Sequence, residues 1–148
     1  MTETTDLPSE ATIHAWARLV RVSQDLIGRV EADLKAAGHP PLAWYDVLLE
    51  LRRAGPDRLR PYQLQERLLL AQYNMSRLLD RMAKAGLIQR VPCEEDGRGH
   101  ILAITEEGQA VRRAMWPVYA HAIARHFGDR LTAGEAEALI ALLAKLKE

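Results

Sequence analysis

The stretch LAQYNMSRLLDRMAKAGLIQR, residues 70–90, decides how this chain is read. Apolar residues recur at Met75, Leu78, Leu79, Met82 and 85–88, the spacing of a helix with one buried face. Ahead of that face stand Gln72, Tyr73 and Asn74, three side chains that hydrogen-bond. Taken alone, the stretch predicts an amphipathic helix with a polar front. Its neighbours decide what the front is for.

Immediately upstream, Pro61 is well placed at the first position of a short helix over about 61–68, and only a few residues separate it from the next one. Immediately downstream the periodicity changes. LIQRVPCEEDGRGHILAIT holds two β-prone runs, 87–91 and 100–104, around a Gly- and acid-rich centre, which predicts a hairpin with its tip near Asp96-Gly97-Arg98-Gly99. Two short helices, a tight turn and a hairpin make a winged helix-turn-helix, a module whose second helix enters the DNA major groove.

Further out, apolar positions at 13, 16, 19/20, 26/27, 30 and 34 predict a long helix over 10–36, stopped by Gly38-His39-Pro40-Pro41. A helix over about 42–54 carries Val47, Leu48 and Leu51 and ends at Gly55-Pro56. After the hairpin, Thr105 is a good N-cap, with Glu106 and Glu107 suited to the positive end of a helix that runs to about 127. Pro117 lies inside it and predicts a kink. Thr132 and Glu135 form a capping box for a last helix striped by Leu139, Leu142, Leu143 and Leu146. The fold class is mainly α: four helices, a β-hairpin, two helices.

Composition sets the broad class. At 148 residues, 48% hydrophobic and 27% charged, the chain can bury a core. It has no apolar run of membrane-spanning length, no signal-like N-terminus and one cysteine, Cys93, which together predict a cytoplasmic protein without internal disulfides. The formal net charge is zero, but residues 58–105 hold eight Lys/Arg against five Asp/Glu, a local balance of +3. That is a modest electrostatic footprint for nucleic acid.

The sequence resembles the MarR family of transcriptional regulators. The resemblance is carried by residues 64–90, the wing DGRGHILAIT (96–105) and Gly108, and with the helix order it spans about 10–147. It implies a homodimer with a winged helix-turn-helix over 42–105, a helical dimerisation region from 10–36 and 108–147, and double-stranded operator DNA as partner. It implies repression relieved by a small, often aromatic, anion. By position, Gln72, Tyr73, Asn74, Ser76 and Arg77 fall on the first turns of the recognition helix, Arg98 on the wing-tip arginine that reaches the minor groove, and Asp96 on the acid that braces the wing. The chemistry agrees: Asn and Gln pair with adenine, Arg with guanine or phosphate, and a wing arginine suits a narrow minor groove. The sequence departs from the family at the turn, where Leu69 and Ala71 replace the usual Gly and Ser/Thr cap. Which of Gln72, Asn74 and Ser76 serve the helix and which serve DNA therefore stays open.

The remaining features point elsewhere only faintly. Trp16, Arg18 and Trp44 are the candidates for an effector pocket, an aromatic wall with a cation. Cys93 is followed by Glu94, Glu95 and Asp96, which raise a thiol pKa, so it is read as structural or incidental. His121 and His126 are five apart and do not share a helix face, so no metal site is expected. There is no catalytic motif and no cofactor is implied, so an enzyme is not expected. Apolar stripes over 13–34, 111–122 and 139–146 call for a two-fold partner. The alternative from another class is a winged-helix protein–protein interaction module that reads no DNA, favoured by the neutral charge and the missing cap.

Overall fold

A computed structural model describes residues 6–70, 74–92 and 99–147. The elements run α1 (Glu10–Ala36), α2 (Leu42–Ala54), a 3₁₀ turn (Gly55–Asp57), α3 (Pro61–Arg67), α4 (Met75–Lys84), β1 (Ile88–Pro92), β2 (His100–Ile104), α5 (Glu106–His126), a second 3₁₀ turn (Gly128–Arg130) and α6 (Ala133–Ala144). The chain forms two compact units, residues 33–121 and residues 1–32 with 122–148. Among the described residues no helix is long and apolar enough to cross a membrane.

The unit of residues 33–121 is the winged helix. Its core is built from Val47, Leu48 and Leu51 of α2, Leu64 of α3, Leu78, Leu79 and Met82 of α4, and Leu59, Leu87, Ile88 and Leu102 around the wing. These are the apolar positions the helical periods single out, and burying each contributes about 1.5–3 kcal/mol. β1 and β2 pair antiparallel in the register Ile88↔Ile104 to Pro92↔His100. β1 starts one residue later than the sequence suggests. Leu87 belongs to the exit of α4: its N–H donates to the Met82 carbonyl at 3.1 Å, and its own carbonyl accepts from Thr105.

The wing has a third element at its base that the sequence does not announce. Leu59 bridges Leu102 antiparallel, Leu102 N–H donating to the Leu59 carbonyl at 2.7 Å and Leu59 N–H returning to Leu102 at 3.4 Å. A single residue, flanked by arginines, carries no strand signal. Thr105 acts as expected: its Oγ1 accepts from Gly108 N–H at 3.0 Å and donates to the Gly86 carbonyl at 2.7 Å, tying the end of α4 to the start of α5.

In the other unit, the Thr132–Glu135 capping box of α6 is formed in both directions, at 3.1 and 2.9 Å. None of the residues of α6 is buried within the single chain. Ile13, Trp16 and Val20 on α1, at i, i+3 and i+7, make an exposed apolar stripe on one helix face. α5 runs without interruption through Pro117.

Candidate nucleic-acid interface

α4 forms where it does because its two ends are fixed. At the front, Asn74 is the N-cap, and its Oδ1 accepts the Arg77 N–H at 3.1 Å. At the back, Gly86 takes φ 82°, a left-handed conformation that favours glycine, and lets the chain turn into the wing. Between them Leu78, Leu79 and Met82 are buried while Asn74, Ser76, Arg77, Arg81 and Lys84 are exposed. One face is thus core and the other a polar surface with three cations. The cap resolves the alternative left open above: Asn74 serves the helix with its carbonyl oxygen, leaving its amide N–H groups as donors.

The turn ahead of α4 is held by a residue that sequence reasoning missed. Asp46, from the middle of α2, is buried, and its Oδ2 accepts the backbone N–H groups of Leu69 at 2.6 Å and Leu70 at 3.2 Å. The acceptor that Leu69 and Ala71 do not supply locally comes from a carboxylate 23 residues upstream. The signal was present, since an acid between Tyr45 and Val47 on a buried helix face has to find donors. Burial raises the Asp46 carboxyl above its ordinary range; the Leu70 and Leu69 N–H bonds pull it back.

Asp46 opens on a recess of about 440 Å³ that Tyr45, Arg67, Leu69 and Tyr119 also line. Tyr45 stacks on Trp116 at 6.1 Å between ring centroids and meets Tyr119 edge-on at 5.1 Å. Burial, and after it the Asp46 and Tyr45 charges, raise the Tyr119 hydroxyl above its ordinary 10.0.

Arg90 pairs with Asp80 of α4 at 2.7 Å, side chains 32% and 58% exposed. So open a pair contributes little stability; it sets the direction of the Arg90 side chain beside the reading face.

The structure assembles Asn74, Ser76 and Arg77 on one exposed turn. Gln72, Tyr73, Cys93, Asp96 and Arg98 lie outside the described residues. The effector candidates are not assembled into one site. Trp44 is half-buried against the winged-helix core, whereas Trp16 is 68% exposed on α1. Arg18 is also exposed on α1, but two residues along a regular helix is a rotation of about 200°, so it faces away from Trp16. Trp16 belongs instead to the Ile13–Val20 stripe. Among the described residues no group of three or more His, Cys, Asp or Glu is placed to hold a metal ion.

Comparison with known proteins places this geometry. A family model described as MarR family matches residues 40–99. The uncharacterized HTH-type transcriptional regulator YkoM of Bacillus subtilis (strain 168) is 32% identical over 113 residues, 76% of this chain and 71% of YkoM. The HTH-type transcriptional regulator PecS of Dickeya dadantii (strain 3937) is 35% identical over 68 residues, a match spanning 45% of this chain and only 41% of PecS. Among solved structures, AbsC of Streptomyces coelicolor superposes with a TM-score of 0.80 at 29% identity, covering 95% of this chain and 93% of AbsC. Sco3205 of the same organism, solved in complex with DNA, superposes with a TM-score of 0.84 at 23% identity over 95% of this chain and 91% of its own, a likeness of fold.

Proposed function

The chain belongs to the MarR family of transcriptional regulators, and on that premise we propose that it is a homodimeric repressor that binds operator DNA in a sequence-specific way. The observation that carries the reading is the exposed first turn of α4, where Asn74, Ser76 and Arg77 stand free of the core that the rest of the helix buries. In this reading residues 72–77 of each subunit enter a major groove and Arg98 enters the flanking minor groove, with Asp96 bracing the wing. The fold is one that Sco3205 carries onto DNA. Half-sites of a pseudo-palindrome then lie about one helical turn, roughly 10 bp, apart.

Dimerisation through 10–36 and 108–147 is supported by apolar surface that one chain leaves uncovered. Trp16, Ile140 and Leu146 are 68%, 68% and 67% exposed. Patches of this kind on a soluble protein mark an interface, and a two-fold partner closes it.

Duplex titrations test the DNA contacts. Arg98→Ala should weaken binding and reduce the salt slope by about 1, because one phosphate-scale charge contact is lost. Asn74→Ala removes both the cap and the amide donor. It should cost about 1 kcal/mol of stability and relax preference at one base pair; unchanged selectivity at every operator base contradicts the readout role. A small aromatic anion releases the DNA in this reading, with Arg18 as its cation partner. An Arg18→Ala protein that still releases DNA at the wild-type effector concentration removes that role.

A further inference from the structure

Four arginines of the winged-helix unit surround one recess. It has a volume of about 430 Å³ and is lined by Arg53, Arg58, Arg60, Arg67, Asp57 and Ile101, among others. The guanidiniums outnumber the lining carboxylate four to one. Arg53 is partly engaged, since its Nη1 pairs with Glu50 Oε2 at 3.2 Å. Arg67 and Arg58 are exposed. So open a cluster of like charges repels itself unless an anion joins it, and guanidinium forks match phosphate oxygens.

Two further observations tie the recess to the wing. Arg60 Nη1 lies 3.7 Å from where a Cβ on Gly99 would stand, at the foot of the descending wing strand and one residue past Arg98. Arg58 has φ 58° and ψ 174°, a conformation essentially restricted to glycine, and among the described residues it is the only non-glycine with positive φ. A glycine there would relieve the backbone. The strain is explained if the guanidinium is needed where this backbone delivers it.

We propose that the arginine recess at the base of the wing seats a backbone phosphate of the bound duplex, beyond the bases met by α4. The inference rests on the DNA-binding reading above and extends its footprint. The anion is a phosphodiester, on the strand flanking the groove that the wing enters. Arg58 and Arg60, with Arg67 behind them, supply charge-assisted hydrogen bonds that position the protein and carry no sequence information.

The test is the salt dependence of duplex binding by full-length wild type, Arg58→Gly/Arg60→Gln and Arg67→Gln, each on an operator and on a random duplex. Neither change in the double variant threatens the fold. Glycine suits the backbone at 58, and at 60 the structural bond is made by the backbone N–H to Gln63 Oε1 at 2.9 Å. Its melting temperature should be no lower than wild type. Binding should weaken about tenfold on both duplexes, with a salt slope smaller by about 2 and unchanged base preference. Arg67→Gln should lower the slope by about 1. Wild-type operator binding together with unaltered slopes in both variants overturns the proposal while leaving the DNA-binding reading in place. A wild type that binds no duplex overturns both. Unaltered slopes with a wild-type melting temperature that rises in inorganic pyrophosphate, and a double variant that does not respond, would assign the recess to a free phosphate and also overturn it.

Discussion

Gly108→Ala should cost about 3 kcal/mol or more, the overpacking penalty at a site where the neighbour cannot move. A Cβ at 108 would collide with the Leu87 backbone carbonyl and stand 2.9 Å from Ile104 Cγ1 and 3.1 Å from Leu48 Cδ2. The Leu87 carbonyl is itself fixed, because it accepts the Thr105 N–H at 3.1 Å. Gly108 also donates its own N–H to Thr105 Oγ1. The substitution therefore strikes the joint where α4, the wing and α5 meet, and relief would have to shift one of them. Chemical denaturation measures the loss. Gly28→Ala is the control: nothing lies within 4 Å of a Cβ at that position in α1, so it should be neutral or stabilising. Equal effects at the two sites would show that close approach is not what glycine provides at 108.

Asp46→Ala should cost about 2–3 kcal/mol, since it strips an ionised acceptor from two backbone N–H groups of a half-buried turn. Through the turn it should also weaken operator binding by at least about tenfold, because the front of α4 is no longer set. Asp46→Asn keeps an acceptor oxygen and should retain most of both. The two variants separate further with pH. Burial raises the folded carboxyl above its ordinary 3.8, outweighing the Leu70 and Leu69 N–H bonds that lower it. The folded chain then holds this proton more tightly than the unfolded chain. The stability linked to it is complete below pH 3.8 and is lost as pH rises through the raised folded value. Asp46→Asn carries no such proton, so the stability difference between wild type and this variant should shrink in wild type's disfavour across that window. Denaturation curves that run parallel over the same pH range would contradict the assignment.

How much of this was legible in the sequence follows from the range of each interaction. The boundaries of α1 and α2, the capping box at Thr132 and the N-cap at Thr105 depend on residues within four positions of one another, and the helical period and capping rules read them directly. Core positions such as Leu48, Leu79 and Met82 were legible for the same reason. The Asp46 brace, the Leu59–Leu102 bridge and the gathering of Arg53, Arg58, Arg60 and Arg67 join residues that only the tertiary fold brings together. Leu69 and Ala71 marked the turn as unusual, and the remedy lay on another helix. Asn74 was legible as polar but not as a cap, because Gln72 offered the same chemistry one turn-start earlier. Trp16 and Arg18 seemed to share a site through nearness in sequence, and helix geometry separates them.

The central claim is that the exposed turn of α4 and the wing read DNA. Selection of bound duplexes from a random pool by the full-length wild-type chain, at moderate salt with excess nonspecific DNA, tests it most directly. The account predicts enrichment of a pseudo-palindrome with half-sites about 10 bp apart, lost as a preference, at the position it specifies, in the Asn74→Ala pool. A pool that stays random under wild-type selection would contradict the account and favour a winged helix that binds protein in place of DNA.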